Sequence, residues 1–423
     1  MESLVLSAVL FAIVAWCVLA GRFSSAGLTA PIFFVAVGFA LATAADPVDH
    51  HVEAELVKVV AEVTLVWILF ADAASVRMRE FRRDLGTYGR LLGVGLPLTV
   101  ALGTVTAALL LGLDVWAALL LGAALAPTDA ALGASVMTDK AVPERIRRVL
   151  NVESGLNDGI ATPVVLLAIA GVATAEGIAG VEDAGHAVLA LVVGVAVGGT
   201  VGALGGVVTR RARHLGWLSE ELGGPAVLAL ALLSYTASLV VDGNGFVAAF
   251  VGGLVFGNLA GRGGATEVYF VDQSASLAAM VSWLAFGALA VPVIGAWLSW
   301  SVVLYAVLSL TVLRMVPVAL ALLGAGLDRY DVLFVGWFGP RGLASVIFAL
   351  LALEDLADAG RELVAVIALT VLLSVLLHGT TAGPLARRFR ADPDVDTPGD
   401  RASPVASDPA AQVGRFDDRN GAD

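Results

Sequence analysis

The chain is 423 residues long, 58% hydrophobic and only 15% charged, against roughly 45–50% apolar and about 25% charged in an ordinary soluble domain, which excludes a water-soluble globule. Its net charge of −12, from 25 basic and 37 acidic residues, argues against nucleic acid as a partner, because a phosphate backbone demands a basic surface. The single cysteine, Cys17, excludes an intramolecular disulfide and any Cys-based metal cluster.

A membrane-crossing helix needs about 20 mostly apolar residues. Thirteen stretches meet that need, over approximately 2–21, 27–44, 55–74, 88–112, 115–137, 149–171, 185–209, 222–241, 245–260, 271–294, 300–324, 330–352 and 362–386. No polar block of domain size interrupts them, so one all-α polytopic membrane domain over 1–390 is expected. The first stretch begins with Glu2, and its first arginine, Arg22, follows the apolar run, unlike a signal peptide. Loop charge gives sidedness, because basic residues in short loops mark the cytoplasmic side. Arg77, Arg79, Arg82, Arg83 and Arg90 fall between segments 3 and 4; Lys140, Arg145, Arg147 and Arg148 between 5 and 6; Arg210, Arg211 and Arg213 after 7. The alternate loops carry Asp46, Asp49, Glu53 and Glu55, then Glu176, Glu182 and Asp183, then Glu354, Asp355, Asp358 and Glu362. The alternation predicts an N-terminus outside and the Arg387-Arg388-Phe389-Arg390 end inside. Residues 391–423 hold eight Asp and three Arg with almost no large apolar side chain, so they are expected to form a disordered acidic cytoplasmic tail.

An ionisable residue in mid-span is costly and needs a partner or a purpose. Segment 5 reads LLLGAALAPTDAALGASVM, and Pro127, which has no N–H, is expected to break its helix beside Thr128 and Asp129 and to free carbonyls for a ligand. Segment 6 reads VLNVESGLNDGIATPVVLLAIAG; Ser154, Asp158 and Thr162 form one i, i+4 row, with Glu153 and Asn157 on the adjacent row. Hydroxyls and amides there can serve simply as helix–helix glue. Glue does not need carboxylates, however, and Asp129 with Asp158 is an oxygen-rich pair of the kind hard cations such as Na⁺ prefer. Arg314 in segment 11 and Arg341 in segment 12 are each candidate partners for a buried carboxylate, Glu153 being the best target because pairing it leaves Asp158 free to exchange. Gly339-Pro340 lies near the middle of segment 12 as Pro127 does in segment 5, and these are the fifth helices of two six-helix halves. That symmetry points to an inverted-repeat secondary transporter with a midplane site.

With these residues in view, ApTDaal (126–132), VESGLNDGIATPVV (152–165) and GPRGLASVIFAL (339–350) resemble the NhaP/NHE branch of the sodium/proton antiporters, the electroneutral Asn-Asp branch of the monovalent cation/proton antiporter superfamily. The resemblance covers about residues 1–390. It implies that Asn157-Asp158 and Thr128-Asp129 match the family's paired site residues, and that Glu153 matches its buried Glu, paired with Arg314. It also implies that Asp72, in WILFADAAS, matches an acid near the inner mouth of the site. Gly155 stands where relatives usually carry a bulky aliphatic and Ala130 where many have Pro, departures that could alter the Na⁺/K⁺ preference. The family further implies a core of segments 4–6 and 11–13, about 88–171 and 300–386, moving against a dimerisation scaffold of the remaining helices in a homodimer.

The expected function is exchange of Na⁺, with Li⁺ as an alternative substrate, for H⁺ across the cell membrane, one for one, serving pH and sodium homeostasis. The cation or proton would bind at Asp158 with Thr128, Ser154 and main-chain carbonyls, and no cofactor is expected. A K⁺/H⁺ antiporter of the same fold is the alternative. An intramembrane aspartyl protease would need a YD span followed by a GxGD span; Tyr330-Asp331 comes second here, and no GxGD exists, so no enzyme activity is expected. No GxxxxGK[ST] run supports ATP-driven pumping. His50, His51, His186, His214 and His378 read as surface or packing residues, and the tryptophans as interface anchors or helix packing.

Overall fold

The structure, a computed structural model, describes residues 2–25, 28–44, 50–76, 78, 84–129, 132, 142–178, 184–261 and 264–390. The loop charges Asp46, Asp49, Arg77, Arg79, Arg82, Arg83, Lys140, Glu182 and Asp183, the departure at Ala130 and the 391–423 tail lie outside the described residues.

Among the described residues the regular elements are all helical. In chain order they are α1 (Glu2–Ser25), α2 (Ala30–Ala44), α3 (His50–Ser75), α4 (Leu85–Arg90), α5 (Leu96–Leu111), α6 (Val115–Ala124), α7 (Glu144–Ala175), α8 (Ala184–His214), α9 (Glu220–Leu239), α10 (Gly245–Leu259), α11 (Gly264–Leu289), α12 (Trp300–Leu310), α13 (Val312–Ala321), α14 (Arg329–Trp337), α15 (Leu343–Leu356) and α16 (Arg361–Arg390). A π-helical turn, Leu91–Gly95, joins α4 to α5. Among the described residues eight helical runs are long and apolar enough to cross a membrane, and α2, α6 and α10 are shorter apolar helices. Leu109 and Val240 leave 82% and 83% of their surface exposed, an arrangement that suits lipid rather than water.

Local chemistry sets the helix ends. Asp114 caps α6, its carboxylate accepting from the main-chain N–H groups of Trp116 (2.8 Å) and Ala117 (3.3 Å), and Asp328 caps α14 by accepting from Asp331 N–H at 2.7 Å. Such side chains satisfy donors that the first helical turn leaves unpaired. Segment 11, expected to be continuous, is interrupted at Thr311 (φ −116°, ψ −93°). The Thr311 hydroxyl donates to the Val307 carbonyl at 2.7 Å, a back-bond of the kind that bends helices, and the bend falls three residues before Arg314.

Small residues then set the packing distances. Gly253 and Gly257, one turn apart on α10, face α3 so closely that a Cβ at either would collide with the main chain of Phe70 or Ala74. Lipid tails give no hydrophobic drive for helix association, so close backbone approach of this kind is what holds α10 on α3, and α3 carries Asp72. At its other end α3 is tied to the end of α15 by Lys58 Nζ and Asp355 Oδ1 at 2.6 Å. Helix α15 is almost wholly buried and packs against α3, α7 and α16.

Candidate functional site

The end of one helix and the gap between two others meet in the interior of the protein. Helix α6 ends at Ala124, before Pro127, and the chain through Asp129 is not helical; α14 ends at Trp337 and α15 resumes at Leu343, with Gly339-Pro340 between them. Proline supplies no N–H and cannot extend the ladder, so main-chain groups at both breaks need other partners, and each break supplies them to the other. Asp129 N–H donates to the Pro340 carbonyl at 2.9 Å. Leu343 N–H donates to Asp129 Oδ2 at 3.0 Å, so the Asp129 carboxylate sits on the positive end of α15. Ser345 Oγ donates to the Ala124 carbonyl at 2.6 Å, closing the end of α6.

The glycines of Gly339-Pro340-Arg341-Gly342 permit this crossing. A Cβ at Gly342 would overlap the Asp129 carboxylate, and one at Gly339 would lie 2.6 Å from Arg314 Nε and 3.0 Å from Thr128 Cγ2. The sequence reading named the Gly-Pro break but missed the reason for Gly342, along with Ser345, Ser309 and Ser374. Small polar residues inside otherwise apolar spans were the available signal.

Helix α7 lies against the crossing. Asp158, the fifteenth of its 32 residues, is 7% exposed, and Glu153, Ser154 and Asn157 are buried with it. Asn157 Nδ2 donates to Thr128 Oγ1 at 2.8 Å, and Thr128 Oγ1 lies 3.1 Å from Ser154 Oγ. Asn157 Oδ1 and Asp158 Oδ1 are buried and have no hydrogen-bond partner among the described residues. Unpaired buried oxygens are expensive and call for explanation. Thr162 is committed elsewhere, its hydroxyl donating to the Asp158 carbonyl at 2.6 Å. Pro163, next along α7, has no N–H to donate to the Gly159 carbonyl.

Glu153 Oε1 and Arg314 Nη2 pair at 2.6 Å with both side chains at most 3% exposed. Arg341, the other candidate partner, is not part of an ion pair among the described residues. Its guanidinium is bound instead by three main-chain carbonyls, those of Ala126 (3.4 Å), Gly339 (3.1 Å) and Ser309 (3.1 Å), and its main-chain N–H donates to Ser374 Oγ at 2.6 Å. The correction has a physical cause: both breaks expose carbonyls at this point, and the five donors of arginine satisfy several at once. Asp72 is half-buried near the end of α3 and borders Gly155, where an added Cβ would stand 3.9 Å from the Asp72 Cβ. Among the described residues no group of three His, Cys, Asp or Glu side chains is arranged to hold a metal ion. Cation ligands at this place would therefore combine carboxylate, hydroxyl, amide and main-chain oxygens, the hard donors that alkali cations accept.

Non-helical chain from two apolar helices meeting beside a buried carboxylate is an arrangement that secondary transporters use, and comparison with known proteins gives the family. The family model described as "Sodium/hydrogen exchanger, transmembrane" matches residues 7–388, and the chain belongs to that family. It is 28% identical over 336 residues to a K(+)/H(+) antiporter NhaP2 of a Shewanella species, covering 78% of this chain and 57% of that protein. It is 26% identical over 371 residues to a K(+)/H(+) antiporter NhaP of Alkalimonas amylolytica, covering 84% and 62%. The chain thus spans somewhat over half the length of these curated relatives. The solved sodium proton antiporter MjNhaP1 of Methanocaldococcus jannaschii shares the fold, with TM-score 0.73 at 20% identity over 93% of this chain and all of that one.

Proposed function

We propose that this protein is a multi-pass cell-membrane antiporter exchanging Na⁺, with Li⁺ as an alternative substrate, for H⁺ one for one, for pH and sodium homeostasis. The observation that carries the reading is Asp158, a buried mid-helix carboxylate with a buried oxygen that no protein donor reaches, set beside Asn157, Thr128 and Ser154 at the crossing of two helix breaks. Asp158 binds either a proton or a partly dehydrated cation, the latter with oxygens from Thr128, Ser154 and the freed main chain. Either loaded state is neutral, whereas the empty anion is costly to carry through a low-dielectric barrier. Only loaded carriers cross, which enforces exchange. Glu153 is permanently neutralised by Arg314. Asp129 stabilises the positive end of α15, and Asp72 lines the approach from the inner mouth.

The proposed assembly is a homodimer of thirteen-span chains with the N-terminus outside. Helices α4–α7 and α12–α16 form the moving core, the others the scaffold, and residues 391–423 a disordered acidic tail. The substrates are ions alone, and no cofactor takes part. A second reading, K⁺/H⁺ exchange by the same site, is favoured by the relatives named K(+)/H(+) antiporters. The experiment is dissipation of an imposed pH gradient in proteoliposomes on adding Na⁺, Li⁺ or K⁺ in turn. A response to Na⁺ at lower concentration than to K⁺ supports the first reading, the reverse order the second, and no response to any of the three contradicts both.

A further inference from the structure

His378 is one of the few titratable side chains in the buried interior that the exchange mechanism does not use. It is 1% exposed on α16, among Ser374 and Arg341, both fully buried. Ser374, His378 and Thr381 fall at i, i+4 and i+7, one face of the helix, and that face meets the break between α14 and α15 at three points. His378 Nε2 lies 2.9 Å from the Trp337 carbonyl and Nδ1 lies 2.9 Å from the Ser374 carbonyl of its own helix; both carbonyls can only accept, so the single N–H of a neutral ring serves one of them, and only on Nε2 does it tie α16 to α14. Arg341 N–H donates to Ser374 Oγ at 2.6 Å, and that hydroxyl lies 3.2 Å from Nδ1. Trp337 Nε1 donates to Thr381 Oγ1 at 3.1 Å, and the indole lies against the imidazole with ring centroids 5.3 Å apart.

The row therefore holds the last residue of α14 and the Arg341 main chain at once. What it holds is the second break, the segment whose Pro340 carbonyl accepts from Asp129 and whose Arg341 guanidinium binds carbonyls of both breaks. No other side chain among the described residues lies within hydrogen-bond distance of both the end of α14 and the hydroxyl that holds the Arg341 N–H. We propose that His378 is a positioning residue of the transport site: with its proton on Nε2 it fixes the break at Trp337–Gly342, and through it the Asp129 and Arg341 contacts that surround Thr128 and Asp158. A supporting partner of a cation site, when lost, typically lowers affinity ~10–100-fold without touching the ion.

The test compares His378→Leu, which removes both ring nitrogens, with His378→Gln, whose amide N–H can still donate to Trp337. In purified full-length protein, hydrogen exchange of the segment from Arg341 to Leu343 should quicken ~10-fold in the Leu variant and stay near wild type in the Gln variant, because protection there reports local opening. That arm does not depend on the antiporter reading. In proteoliposomes the Leu variant should raise the KM for the transported cation ~10-fold with a smaller change in maximal rate, and the Gln variant should restore it. Unchanged amide exchange in the Leu variant overturns the proposal, as does a Gln variant no better than Leu in both measurements. A wild-type protein that exchanges no cation contradicts the function and leaves the amide-exchange arm to decide the role of His378.

Discussion

At the scale of single residues, the carboxylates of this site differ by what already holds them. Glu153 is neutralised by Arg314 at 2.6 Å, Asp129 accepts from the main chain of α15, and Asp158 keeps a buried oxygen that no protein group satisfies. Asp158→Asn keeps shape and packing but removes the exchangeable charge, so the variant should express, fold and show no cation-driven proton flux in vesicles. Residual exchange above a few per cent, on the order of a loss of less than ~2 kcal/mol at about 1.4 kcal/mol per factor of ten, would place the exchanging group elsewhere. Removing one partner of the Glu153–Arg314 pair strands the other in the interior, at about 3–5 kcal/mol. The double change Glu153→Gln with Arg314→Met should melt above either single variant; three variants that melt additively would mean the two side chains are not coupled.

At the scale of elements, the two breaks stabilise one another, and the tolerances there are narrow. Gly342→Ala places a methyl group onto the Asp129 carboxylate, and overpacking of this kind costs about 1–3 kcal/mol. The variant should melt lower and transport more slowly, whereas Gly93→Ala, where a Cβ meets nothing within 4 Å, should leave both unchanged. Equal melting of the Gly342 variant and the wild type would show that the crossing is looser than described. Much of this architecture was legible in the sequence, because prolines in apolar runs and charges in mid-span are each costly enough to mean something on their own. The apolar runs foretold an all-helical chain, Pro127 lies just past the end of α6, and Gly339-Pro340 lies between α14 and α15. Residue chemistry alone left Arg314 and Arg341 both open as the partner of Glu153, and the family resemblance pointed to Arg314, with which it pairs at 2.6 Å; the work of Arg341 was not legible, since it depends on which carbonyls meet across more than two hundred residues of chain. The interruption at Thr311 was hidden for a different reason: a threonine in an apolar run carries no helix-breaking signature, and only the backbone angles there show it.

At the scale of the whole molecule, the proposed exchange at a single carboxylate makes definite demands on transport behaviour. Proton and cation compete for Asp158, so the rate should trace a bell against pH: excess protons displace the cation at low pH, and at high pH too few protonated carriers return. A rate that rises steadily over the whole range would contradict competition at one site. Because Asn157 is uncharged and Glu153 is paired, one cation should exchange for one proton and no net charge should move. A membrane potential acts on net charge at about 2.3 kcal/mol per elementary charge per 100 mV, so it has nothing to act on here. The most direct measurement is the steady exchange rate in proteoliposomes with and without a diffusion potential set by a thiocyanate gradient, which leaves the substrate cations untouched. The expected result is an unchanged rate and no transport current; a rate that changes several-fold with the potential, or a measurable current, would mean that more than one proton moves per cation and that Asp158 does not act alone.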